Sequence, residues 1–144
     1  MKKIVLLALV FTLAASMSVF AAPGSLPAGV ESNTTGILTV TNPNHISISS
    51  FDRVHNISGY AANGVELSVY ILSGGNWQLM HRNGEPVVCT VGASGMFVQP
   101  VSLNYGRNDL KIRASLNGQE QYTTRTITIL SSNFLNLLKG FNLF

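Results

Sequence analysis

The chain has 144 residues, nine basic and six acidic side chains, a formal net charge of +3 and one cysteine. That is the length of one domain, and a lone thiol closes no disulfide within it. Lys2 and Lys3 fall in an N-terminal leader; without them seven basic groups face six acidic ones with no basic run, which argues against a nucleic-acid partner.

The first stretch, MKKIVLLALVFTLAASMSVFAAPG, sets Lys2 and Lys3 ahead of an apolar run from Ile4 to Leu13, broken only by Thr12. Small residues around Val19-Phe20-Ala21 follow. This layout predicts a bacterial-type secretory signal peptide over 1–21, cut after Ala21 because Pro23 disfavours a cut just before itself. The apolar run is short of the roughly 20 residues a bilayer span needs, so the mature chain is expected to have no transmembrane span and to be secreted or otherwise extracytoplasmic. Residues 22–35, rich in Pro, Gly, Ser, Asn and Thr, read as a flexible lead.

From 36 to 130 the dominant period is two, the period of a half-buried strand. GILTVT (36–41), HISISS (45–50) and VHNISGYA (54–61) are expected strands, followed by the turn signal Asn63-Gly64. VELSVYIL (65–72) puts Val65, Leu67, Val69 and Ile71 on one face and Glu66, Ser68 and Tyr70 on the other. SGGN turns the chain into WQLMH (77–81), and VVCTV (87–91) sets Cys89 in phase with two valines, as a small hydrophobe. GASG (92–95) precedes MFVQPVSL (96–103), where Pro100 cannot donate to a ladder and marks an edge or a bulge. NDLKIRA (108–114), the turn Asn117-Gly118 and YTTRTITIL (122–130) complete the series. Short strands separated by turns at roughly 8–12-residue spacing predict an all-β antiparallel sandwich. Arg125 shares the phase of Ile127 and Ile129 and is expected at a rim beside an acid or at a bulge. In SSNFLNLLKGFNLF (131–144) the apolar intervals turn to three and four, which predicts a short amphipathic helical tail that needs something to dock on.

The run TVGASGMFVQPVSLNYGRNDLKIRA (90–114), through Gly95, Phe97, Leu103, Gly106, Asn108, Leu110, Ile112 and Ala114, resembles bacterial immunoglobulin-like domains of secreted and cell-surface proteins. ISGYAANGVELSVYI (57–71) looks like the matching earlier hairpin. The resemblance spans about residues 36–130. It implies an immunoglobulin-like β-sandwich acting as a spacer, adhesion module or wall-associated accessory, with no catalytic role. SNTTG (32–36) is similar to the NPTTG loop of chagasin-type cysteine protease inhibitors, without the proline, which makes a loop-based inhibitor the alternative function.

Catalytic signals are thin. GASG lacks the spacing and following helix of a nucleophile elbow, and the lysine and helix N-terminus of a phosphate cradle, so Ser94 is expected in a turn. His45, His55 and His81 are scattered, and the carboxylates show no paired spacing. The expectation is a non-enzymatic secreted or envelope-associated interaction module with no cofactor or metal, binding a protein or a cell-wall carbohydrate. Candidate contact residues are Tyr70, in the outward phase of its strand, Trp77, which can stack on a sugar or fill the core, and Phe134, Leu137, Leu138 and Phe141 on the tail. Self-association through that tail is a further expectation.

Overall fold

A computed structural model describes residues 21–140, the side chains of Leu135 and Leu138 excepted; the expected signal peptide and Phe141 lie outside the described residues. The chain is mostly β, with antiparallel sheets and one short helix. Its elements are β1 (Ser25–Leu26), β2 (Leu38–Asn42), β3 (Ser47–Ser50), β4 (Val54–Ala61), β5 (Glu66–Ser73), β6 (Asn76–Leu79), β7 (His81–Arg82), β8 (Glu85–Pro86), β9 (Val88–Thr90), β10 (Met96–Ser102), β11 (Gly106–Leu116), β12 (Gln119–Ile129) and α1 (Ser132–Gly140).

The large sheet runs β1-β6-β5-β11-β12-β3, with β9 on the first half of β5 beside the stretch that β6 takes. The small sheet is β10-β4-β2, and β7-β8 is a separate hairpin. All pairs are antiparallel except β3 with β12, which run parallel. Alternation explains the core. Leu38, Val40, Ile57, Phe97 and Val101 of the small sheet meet Leu67, Val69, Leu110, Ile112, Ile127 and Ile129 of the large one in a single buried cluster. Each such side chain contributes about 1.5–3 kcal/mol relative to exposure.

Turns join the strands in two ways, within a sheet and between sheets. Asn117 (φ 50°) and Gly118 (φ 80°) form the two-residue tip of the β11–β12 hairpin, where Leu116 faces Gln119; both central residues are left-handed, as the right-handed strand twist favours. Asn63-Gly64 does something else. It carries the chain from β4 in the small sheet to β5 in the large one, so 57–71 crosses between sheets and is not the expected hairpin. GASG returns the chain the other way, from β9 to β10. The two corners are stitched together: Ala61 N donates to Gly95 O (2.8 Å) and Gly64 N to Val91 O (2.8 Å).

β2 and β3 make a third crossing, around a cis Asn42–Pro43 peptide. This leaves one long edge of β2 with no strand partner, and backbone groups so placed need other partners. β12 supplies them from two polar residues on its inner face. The amide of buried Gln121 accepts from Ile37 N and Leu38 N (3.1 Å each) and donates to Leu38 O (2.8 Å). Arg125 donates to Val40 O (3.2 Å) and Pro43 O (3.0 Å), and burial lowers its pKa. The expected acid beside Arg125 is therefore replaced by main-chain carbonyls. Pro100 sits on β10, at the edge of the small sheet.

The expected flexible lead is instead a strap laid over the outer face of the large sheet. β1 pairs with β6, Leu79 N donates to Gly24 O (2.9 Å), and Tyr70 Oη donates to Pro23 O (2.8 Å). Farther along, Asn33 Nδ2 donates to Glu120 O (3.0 Å) while Tyr122 N donates to Asn33 Oδ1 (2.7 Å). Leu26, Tyr70 and Trp77 form a second apolar cluster beneath it, with Val30, Leu79 and Tyr122 against its sides.

Candidate interaction surface

The two sheets differ most on their outer faces. On the small sheet, strand alternation turns Val54, Asn56, Ser58 and Tyr60 of β4 outward. Cross-strand pairing sets them beside Ser102, Pro100, Val98 and Met96 of β10, and Tyr60 beside Thr39 of β2. Tyr60, Met96 and Val98 are each more than half exposed, and no side chain named on this face carries a charge. Tyr60 and Met96 lie directly opposite one another, close enough for contact across the ladder. A contiguous uncharged apolar area of this kind marks a contact surface more often than a random accumulation. Among the described residues β10 pairs only with β4, and residues of the β7–β8 hairpin lie beside its Gln99 and Pro100.

Two expected contact residues lie elsewhere. Tyr70 and Trp77 are on the outer face of the large sheet and both are buried. Neither is a surface aromatic, because the strap, which comes from a distant part of the chain, covers them. Trp77 also receives the Lys111 ammonium over its ring, 4.2 Å from the centroid, a favourable cation–π placement. Lys111 is buried, its ammonium bonded to Val30 O. Burial lowers its pKa against the pull of Glu31. Burial likewise raises the Tyr70 phenol. On the tail, Phe134 and Leu137 are exposed, while the Leu138 side chain and Phe141 lie outside the described residues.

A cavity of about 440 Å³ opens at the β11–β12 hairpin between Glu66, Arg113, Leu116, Asn117 and Glu120. Its charges are already engaged. Arg113 donates to Glu120 through Nε (2.9 Å) and Nη2 (2.5 Å) and to Glu66 through Nη1 (3.3 Å), and Tyr122 Oη donates to Glu120. The guanidinium thus serves as a clamp for the hairpin and for the strap above Glu120.

Ser94 is exposed at the GASG corner, where its Oγ accepts from Met96 N (3.3 Å). Cys89 faces Leu67 across the β5–β9 ladder, and burial raises its thiol pKa, opposite to the shift an attacking thiolate needs. Among the described residues no three His, Cys, Asp or Glu side chains gather as a metal-ligand group. In SNTTG, Asn33 is bonded to β12, and Thr35 Oγ1 donates to Gln121 Oε1 (3.2 Å). The stretch lies against the large sheet and does not project as a loop.

The sequence signal for the bare face was available in MFV (96–98), which is apolar in both strand phases. Phe97 is buried between the sheets, while Met96 and Val98 point the other way. Comparison with family models, with curated proteins and with solved structures gives no match at all.

Proposed function

We propose that the protein is an exported, non-catalytic binding module of immunoglobulin-like β-sandwich fold that holds a protein partner on the outer face of its small sheet. The observation carrying this reading is the uncharged patch of Tyr60, Met96 and Val98, left bare while the equivalent face of the other sheet is covered. The immunoglobulin-like assignment is supported by strand order. A β10-β4-β2 sheet faces one containing β12-β11-β5-β6, the arrangement of a three-stranded layer against a layer with an added edge strand. Export is supported by the leader pattern of 1–21. The tyrosine and methionine side chains suit a protein contact: the ring adds rigid amphipathic area and the thioether adapts to its partner.

The test is a photo-activatable residue placed at Val98 in the full chain, in cells, with Glu85 on the β7–β8 hairpin as control position. The expected result is a discrete protein adduct from position 98 that disappears when Tyr60→Asp is added. Absence of an adduct, or the same adducts from position 85, would remove the reading. Cell fractionation, with the mass of the mature chain expected to begin at Ala22, checks export. An uncut chain in the cytoplasmic fraction would contradict it.

A further inference from the structure

The end of the molecule opposite the β11–β12 hairpin carries a different surface. Three segments meet there. Leu103 N donates to Arg53 O (2.8 Å), Arg53 Nε donates back to Leu103 O (3.0 Å), and Leu130 N donates to Ser50 O (2.8 Å). In register, Ile129 faces both Gly106 and Ser50, and Ser102 faces Val54. Apolar side chains project from each segment: Phe51 (44% exposed), Val54 (54%) and Tyr105 (62%). Helix α1 leaves from this same end, directly after β12, with Phe134 and Leu137 exposed.

Charge is divided along the same axis. Arg53 lies over the Tyr105 ring, 5.1 Å from its centroid. Arg107 is the second residue of β11 and Lys139 is in the last turn of α1. The acids of this end are Asp52 and Asp109, and Asp109 is already engaged by Arg107 (2.9 Å) and by Thr126 Oγ1 (2.7 Å). Glu66 and Glu120 lie at the far end, beside the hairpin cavity. This end therefore sets three cations against two acids, with Arg53 and Lys139 bonded to no acid among the described residues, whereas the hairpin end sets Arg113 against two carboxylates.

We infer that this end docks on an anionic phospholipid bilayer, with Phe51, Tyr105 and α1 entering the interface while Arg53 and Lys139 face the headgroups. The apolar groups sit singly on turns and on a helix, between Asn104, Ser131, Asn133 and Asn136. A fluid interface accepts scattered projecting side chains without shape complementarity. Aromatic rings flanked by cations suit the headgroup layer, and the combination of apolar insertion with basic charge is what stable peripheral binding requires. Apart from Val54, which borders both, this surface shares no residue with the Tyr60, Met96 and Val98 patch and stands independently of the partner proposed for it.

The test is flotation of the mature full-length chain with vesicles of phosphatidylcholine alone and of phosphatidylcholine with about one third phosphatidylglycerol, at low and high salt. The expected result is binding to the anionic vesicles, weaker on the neutral ones and weakened by salt. Phe51→Ser and Tyr105→Ser should each lower partitioning roughly ten-fold with unchanged circular dichroism, since both side chains are exposed. Arg53→Gln should reduce anionic binding and leave the residual neutral binding unaltered. No flotation, equal binding to both vesicle types, or binding that survives Phe51→Ser with Tyr105→Ser would overturn the inference. So would a dimer in solution that these substitutions dissociate without any vesicle binding, because the end would then be an interface between copies.

Discussion

The two outer faces of this molecule begin from similar strand patterns and end in opposite states. On the large sheet, Ser68, Tyr70, Lys111 and Arg113 occupy the phase opposite the core, yet all four are buried because the 23–35 strap crosses them. On the small sheet, Tyr60, Met96 and Val98 occupy the corresponding phase and stay bare. Covering a face favours partners for the polar groups beneath, and most but not all find one: Ser68 Oγ and Trp77 Nε1 are buried without a hydrogen-bond partner among the described residues. Accordingly the strap offers carbonyls of Pro23 and Val30 to Tyr70 and Lys111, and Arg113 receives two carboxylates. The bare face carries only neutral groups that water satisfies. The lesson is that a covered surface is structure and an uncovered apolar one is available for contact.

The comparison can be broken most severely at Tyr70. Tyr70→Ala removes the centre of the second cluster and the anchor of Pro23, and is expected to cost about 3–5 kcal/mol. Chemical denaturation measures it, with Trp77 fluorescence shifting red in the native state as the strap loosens. Tyr70→Phe, which removes only the hydrogen bond, should cost about 1 kcal/mol. Gln121→Leu comes next. It strands Ile37 N, Leu38 N and Leu38 O at the buried junction of strap, β2 and β12, at an expected cost of about 1–3 kcal/mol in the same measurement.

A smaller, pH-dependent effect belongs to Glu120. Donation from Tyr122, against burial and with help from Arg113, holds its carboxyl below the usual carboxylate value. The folded state therefore binds this proton less readily than the unfolded chain. The stabilisation is fully present above the ordinary carboxylate pKa and is lost as pH falls through the depressed folded value. Between about pH 6 and about pH 3 the denaturation midpoint of the wild type should fall more steeply than that of Glu120→Gln. Parallel curves would show that the clamp is not coupled to protonation. The smallest stability effect is expected on the bare face: Tyr60→Ser should change stability by no more than about 0.5 kcal/mol while removing the adduct from position 98. A large loss would mean that the face is packed after all.

Local chemistry was legible in the sequence wherever it acts over a few residues. The period of two located β4, β5, β10, β11 and β12, and Asn117-Gly118 announced its hairpin. Asn63-Gly64 carries the same signal and yet changes sheets. Whether a turn folds a strand back beside its neighbour or sends it across the core depends on what the next strand finds, and β5 finds β11, far along the chain. The same distance hid the strap. Nothing near Tyr70 or Trp77 in sequence says that residues 23–30 will cover them, so phase alone suggests exposure for Tyr70 and Trp77 stays open between a contact and a core role, and both lie inside. Arg125 and Gln121 were illegible for a related reason: their partners are the main-chain atoms of β2, which carry no side-chain signature. The apolar double phase of Met96, Phe97 and Val98 was readable, but it shows only that two faces exist and not which of them remains open.

The parallel pairing of β3 with β12 has a mechanical consequence. β3 belongs to the early part of the chain and β12 to its late part, and from Ser47 opposite Thr126 to Ser50 opposite Ile129 they run in the same direction. A load pulling the two ends of the chain apart would first peel the strap and β2. It would then draw β3 and β12 along one another in opposite senses. Hydrogen bonds so loaded stretch together as a group in shear, and do not open one after another like a zip. A protein held at one end by a surface and at another by a partner would therefore meet its firmest resistance at this short seam.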